Sequence, residues 1–184
     1  MINKIGVYTA LVSFLIGTLL LVIFYFTYSS IIAYYGLIFI IIVGIINLVI
    51  LVKIVFDYNT KRENKKEYLR TALIMLLNIP IVICYTYFVI FLMNTMIVTL
   101  INETGREISQ IKIIGGEPTQ ILKLEIGEVK TKWVGITNDN SLMIEYNVDG
   151  EIRQEVIYGY VTSFSGSRIK YKIGNETKPI DESI

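Results

Sequence analysis

Asn47 and Asn78 are the side chains best placed to do more than pack, because each is a carboxamide set in a long run free of charge; Thr9 and Ser13 lie in a third such run. An amide or hydroxyl in an apolar medium must find a hydrogen-bond partner. If the runs are antiparallel helices, all four residues fall at similar depth. They then form either interhelical bonds worth about 0.5–2 kcal/mol each or a polar lining for a transported species or a partner helix. Pro80, which lacks an N–H, frees the Leu76 carbonyl near the same layer. Cohesion is the expected role of this layer, and a site is the alternative.

Other chemistries are closed. The sequence has no histidine, which removes Ser-His-Asp and Cys-His nucleophilic systems, histidine metal sites and the commonest general base. No Asp or Glu lies in the uncharged runs, so paired-aspartate proteolysis and carboxylate proton relays within a membrane lack their residues. The carboxylates Asp139, Asp149 and Glu151 sit beside Asn and Gly and read as turn residues. Asn138-Asp139-Asn140 lacks the glycine and distal glutamate of a calcium loop. Neither an enzyme nor a bound cofactor or metal is expected.

The elements that position these residues follow from hydropathy. Residues 5–30, 31–52 and 71–102 carry no charge, and each run exceeds the roughly 20 residues that cross about 30 Å of hydrocarbon as a helix. Three transmembrane helices are expected, over about 5–28, 31–55 and 71–95. The first apolar run is too long for a signal peptide and reads as an uncleaved anchor. Thr27, Tyr28, Ser29 and Ser30 supply a tight turn between the first two. The connector 57–70 is basic, with Lys61, Arg62, Lys65, Lys66 and Arg70, which places it and the N-terminus in the cytoplasm. If helical, it would carry Lys61/Lys65 and Arg62/Lys66 as a stripe for anionic headgroups; control of topology alone would also account for these residues. Tyr25, Tyr28, Tyr34 and Tyr35 would then mark the outer interface, and Tyr8, Tyr58 and Tyr68 the inner one. Thr9, Ser13 and Gly17 in the first run, and Gly36, Gly44 and Asn47 in the second, offer small faces for close helix contact.

After residue 100 the pattern changes to a period of two. Residues 1–100 hold seven basic against three acidic side chains, net +4, while 101–184 hold ten against thirteen, net −3. Leu142, Ile144, Tyr146 and Val148 alternate with polar residues, and Asp149-Gly150 leads into a second strand with Ile152, Val156, Tyr158 and Tyr160 in phase. Further strands are expected at 98–102, 108–114, 119–124, 129–137 and 167–173, with the third helix ending near Asn94-Thr95. About seven short strands suit an Ig-like sandwich; a small barrel is the other possibility. The fold class is thus an α+β membrane protein: a transmembrane domain over 1–100 and an extracytoplasmic all-β head over 101–184. Cys84, the sole cysteine, lies in the third run, so the head has no disulfide.

The segment Leu124-Glu-Ile-Gly127-Glu128-Val-Lys-Thr-Lys-Trp-Val134 resembles a turn of bacterial Ig-like sandwich modules, in which Leu-x-x-Gly-Glu leads into a strand. The proline such turns often carry before the glycine is Ile126 here. The resemblance implies the sandwich fold and a spacer or binding role. Trp133 is expected in the core, and Tyr158, Tyr160 and Phe164 as a contact patch. Isoleucine outnumbers leucine 35 to 17, as AT-rich coding produces, and in the bacterium this suggests, the Asn-x-Thr triplets at Asn102 and Asn175 are turns rather than glycan acceptors. The reading that unites these features is a non-enzymatic membrane protein whose head binds a partner. The expected partners are the lipid bilayer and another membrane or extracytoplasmic protein or a second copy, with no nucleic acid. A small oligomeric channel built on the Asn47/Asn78 layer is the alternative.

Overall fold

A computed structural model describes residues 2–61, 63–174 and 180–181. Three long helices come first: α1 (Ile2–Thr27), α2 (Ser30–Thr60) and α3 (Lys65–Met93). All three are long and apolar enough to cross a membrane. Large apolar side chains such as Ile45, Leu48 and Val49 lie exposed along their sides. A helix that is apolar all round and uncovered suits an apolar surrounding, where its own backbone bonds leave no polar group unmet.

The helices run further than hydropathy alone suggests. α2 continues five residues past its expected end and α3 starts six before its own, since hydropathy marks the hydrocarbon and not where a helix stops. α2 ends at Thr60 and α3 begins at Lys65, so Lys61 and Lys65 do not share one helical stripe. Lys61 closes α2, while Lys65 and Lys66 open α3; Arg62 lies outside the described residues.

The chain divides into two compact units, Met1–Val89 and Ile90–Ile184. In the first, Ala10, Ile54, Tyr68 and Met75 form a small buried cluster. Gly6 makes it possible, because a Cβ there would meet Ile54 Cδ1 and Thr71 Cγ2 at 2.8 Å and Met75 Sδ at 3.0 Å. The small faces read from the sequence serve less: Gly36 and Gly44 have open space beside them, and Gly17 has only Phe39 nearby.

The second unit is strand-rich. Its strands are β1 (Thr95–Asn102), β2 (Ile108–Ile114), β3 (Thr119–Leu124), β4 (Val129–Gly135), β5 (Asn140–Val148), β6 (Glu151–Val161), β7 (Arg168–Ile173) and the short β8 (Ile180–Asp181). They form two sheets ordered β4-β1-β7-β8 and β3-β2-β5-β6, and within the first, β1 and β7 run parallel. Inward residues of both sheets, among them Met96, Val98, Leu100, Ile111, Ile144 and Ile169, share one core. The Asp149-Gly150 hairpin has φ of 52° and 87° at its two central residues, the left-handed pair that a two-residue turn requires.

Two side-chain expectations are corrected. Trp133 is 43% exposed rather than in the core. It pairs with Ile97 on the outer face of its sheet, and the inward positions of edge strand β4 fall to Lys130, Lys132 and Val134. On β6, Ile157 and Val161 are buried, whereas Ile152, Val156 and Tyr160 are exposed. The two-residue turn pairs the inward Val148 with Glu151, which sets Ile152, Gln154 and Val156 outward, and two register shifts beyond Val156 then bring Tyr158 and Val161 to the core side.

The last turn of α3 belongs to the strand-rich unit. Asn94 alone separates it from β1. Asn94 folds its Nδ2 back to Ile90 O at 2.9 Å, and Thr95 Oγ1 donates to Phe91 O at 2.7 Å. The loop after β6 then closes over the helix end, with Gly166 N donating to Met93 O at 2.7 Å. A Cβ at Gly166 would overlap the Leu92 carbonyl oxygen and lie 2.7 Å from Met93 C. Gly166→Ala should therefore lower the stability of the full chain in detergent by about 1–3 kcal/mol through overpacking against backbone. Gly159→Ala, where no atom lies within 4 Å, should leave the thermal midpoint within error.

Candidate functional site

The intramembrane candidates meet on one side of α1. Ser13 Oγ donates to Thr9 O at 2.6 Å, and Asn47 Nδ2 donates to Ser13 Oγ at 3.2 Å and to Val43 O at 2.9 Å. Asn78 Nδ2 donates to Ala10 O, one residue on from Thr9, at 3.0 Å. Each amide thus crosses from its own helix to α1, Asn47 to a side chain and Asn78 to backbone. Thr9 contributes its carbonyl. Asn47 Oδ1 is buried with no donor among the described residues. Chemically the arrangement ties three helices together with polar atoms turned inward.

At the 61–64 turn, Asp57 is only 6% exposed and is paired with Lys61 at 3.0 Å. Its hydrogen bond to the ammonium raises the Lys61 pKa. Lys61 also lies over the Tyr68 ring at 6.0 Å, and Lys65 over Tyr58 at 5.3 Å, geometries suited to cation–π attraction. Lys66 and Arg70, one turn apart on α3, head a shallow groove floored by Leu69, Leu73 and Leu77.

The head's expected patch is divided by the structure. Tyr158 packs against the core, while Tyr160 and Phe164 are each 59% exposed. Tyr160 Oη donates to Asp139 Oδ2 at 3.0 Å, and Thr162 Oγ1 donates to Asp139 Oδ1 at 2.6 Å. These bonds, Thr162 first, hold the Asp139 carboxyl below its ordinary value. Asp139 is thus committed to a strand-end turn, and Asp149 pairs with Arg106. Phe164, at φ 64°, sits in the loop over the end of α3, where its N–H reaches Asn94 Oδ1 at 3.3 Å. Among the described residues, no three Cys, Asp or Glu side chains converge as a metal site.

Two features escaped the sequence reading. The first is Glu155, at an inward position opposite Ile144. Tyr146 of one sheet donates to its Oε1, and Tyr171 of the other donates to its Oε2 at 2.6 Å. One carboxylate thus joins the two sheets, and its inward position follows from the hairpin register that sets it opposite the buried Ile144. The second is an apolar row across the outer face of one sheet: Ile114 pairs with Met143, and Met143 with Val156. The neighbouring row Lys112, Glu145 and Gln154 is tied together by bonds of 3.1 and 3.0 Å.

No family model and no curated protein matches this chain. A solved structure described as the NMR structure of a protein from Eubacterium rectale overlaps 47% of this chain and 84% of its own, at 14% identity and a TM-score of 0.34, a likeness too slight to bear on fold or function.

The geometry of the polar layer sets a measurable coupling. A double-mutant cycle of Ser13→Ala and Asn47→Leu in bicelles should give about 0.5–1.7 kcal/mol; additive effects would show that the bond contributes nothing. The tyrosine bridge sets a pH limit. Burial first, then Glu155, pushes the Tyr146 and Tyr171 hydroxyls above their usual range. The fold therefore favours their protonated forms. That contribution is complete below about pH 10, the unfolded value, and is lost as pH rises through the raised values. In alkaline titration these two tyrosines should ionise only together with loss of the head's circular dichroism.

Proposed function

We propose that this chain is a non-enzymatic integral membrane protein that crosses the bilayer three times and holds an Ig-like sandwich against its outer surface to bind a partner protein. The observation that carries the reading is the apolar row Ile114–Met143–Val156 on the outer face of a head whose first strand is continuous with an apolar helix. Ile114 is 42% and Val156 50% exposed, and Tyr160 stands further along the same edge strand. Apolar rows left open on a folded sheet are commonly contact surfaces. An edge strand of this length can also pair with a partner's strand. The Ig-like assignment draws support from two four-stranded sheets and from connections that change sheet after β1, β3, β4 and β6; the parallel β1–β7 pair departs from the fully antiparallel pattern of immunoglobulin constant domains.

The basic residues around the 61–64 turn support a cytoplasmic location for that turn and an extracytoplasmic head. The bacterial cytoplasmic membrane is the setting we assign. A pore built on Asn47 and Asn78 has weaker support, since both amides are bonded to α1. The partner is either a second membrane or extracytoplasmic protein or another copy of this chain.

Mild-detergent purification of the tagged full chain from its native membrane, with mass spectrometry, tests the reading. A stoichiometric partner is expected, and Val156→Lys should reduce its recovery at least about tenfold, as loss of an interface anchor does, without lowering the thermal midpoint. Recovery of the chain as a partnerless monomer would overturn the binding role.

A further inference from the structure

The end of α3 is ringed by aromatic side chains that the partner-binding reading does not use. Phe91, in the last helical turn, is 43% exposed and stacks on Trp133 with ring centroids 5.9 Å apart and planes 23° from parallel. Phe164, 59% exposed, is held over the same helix end by the bond from its N–H to Asn94. On the outer face of the sheet, Trp133, Ile97 and Arg168 form one cross-strand row.

The distance of this row from the helix end is set by covalent geometry. Strand β1 starts at Thr95, and Ile97 stands two residues on, about 7 Å along a strand. The headgroup region adds about 5–8 Å of thickness to each side of the hydrocarbon. Whatever the tilt of β1, a row no more than about 7 Å from the last apolar helical turn lies no higher than the headgroup layer. There Trp gains most among side chains, since its ring is apolar and its N–H polar. In water, by contrast, a half-exposed Trp stacked on a half-exposed Phe would leave apolar surface wet.

We infer that Phe91, Trp133 and Phe164 form a lipid-contacting collar that seats the base of the head in the headgroup layer of the bilayer leaflet from which α3 emerges. The occupant of this surface is phospholipid. The inference rests on the membrane-spanning part of the proposed function.

Trp133 is the sole tryptophan, so the unaltered full chain carries its own probe. The chain is reconstituted in phosphatidylcholine vesicles containing lipids nitroxide-labelled at the headgroup, or at a shallow or a deep acyl position. Trp133 emission should be quenched several-fold more by the headgroup and shallow labels than by the deep label, and little by aqueous iodide. The double variant Trp133→Phe/Phe164→Trp, which moves the indole to the loop, should show the same depth profile. Quenching by iodide but by no lipid label, or strongest quenching by the deep label, would overturn the collar. Alkaline carbonate extraction of the same vesicles separates the two readings. A chain released by carbonate refutes the membrane-spanning assignment itself, whereas a retained chain with an iodide-quenched indole refutes the collar alone.

Discussion

The last carbonyl groups of a helix have no partners within it, and at the end of α3 the strand-rich unit supplies them. Gly166 N–H closes on Met93 O at 2.7 Å, and Ile136 N–H closes on Asn94 O at 2.9 Å. Asn94 itself turns back to Ile90 O through both its backbone and side-chain nitrogen. These bonds replace a linker. With one residue between helix and strand, the direction of β1 is set by the last helical turn, and β1 in turn aligns β4 on one side and β7 on the other. The loop from Thr162 to Ser167 has its shape because it must reach this helix end, which is why glycine is needed at 166.

The two units obey different solvation rules. In the helical unit, most large apolar side chains point outward and few are enclosed, the cluster around Gly6 with Phe24 and Tyr28 among them, so internal cohesion falls to a few close contacts and to the bonds of Ser13, Asn47, Asn78 and the Thr18–Tyr85 pair. In the strand unit, apolar residues point inward, and a polar side chain taken into the interior has its bonds supplied there. Asn102 illustrates the difference. It is fully buried, donates to Arg106 O and Leu124 O at 2.6 and 2.9 Å, and accepts from Thr104 N and Oγ1 at 3.0 and 2.7 Å. It therefore holds a turn and is closed to solvent; Asn175 lies outside the described residues.

Much of the architecture was legible because it rests on local or one-dimensional signals. Charge-free runs mark helices, alternation marks β5, and Asp149-Gly150 marks its turn. The meeting of Ser13 with Asn47 was legible too, since antiparallel helices convert sequence position into depth. What escaped depends on three-dimensional neighbours. Gly6 is near the chain's start and looks unremarkable until Ile54, Thr71 and Met75 surround it. Trp133 is expected in the core of the resembled sandwich, yet it faces outward with Val129 and Thr131, because in an edge strand the inward positions can be filled by lysines whose ends escape to water. The face of β6 was lost because its apolar alternation, with Ile152 and Val156 in phase with Tyr158, runs across a register shift, whereas Glu155 and Val156 follow the register set by the hairpin. The turn Leu124–Val134 was readable for a physical reason: Gly127 takes φ 72° and Glu128 folds back to accept Glu125 N–H at 2.8 Å.

The parallel pairing of β1 with β7 has a mechanical meaning. β1 is continuous with α3, and the strand beside it runs the same way. A tension applied between α3 and the far end of β7 would act along the length of this pair. Six residue pairings, from Ile97–Arg168 to Asn102–Ile173, would bear that load together in shear, whereas an antiparallel neighbour pulled from the same two ends would unzip one pairing at a time. A unit built this way resists being pulled away from α3 by the geometry of its strands as well as by its core.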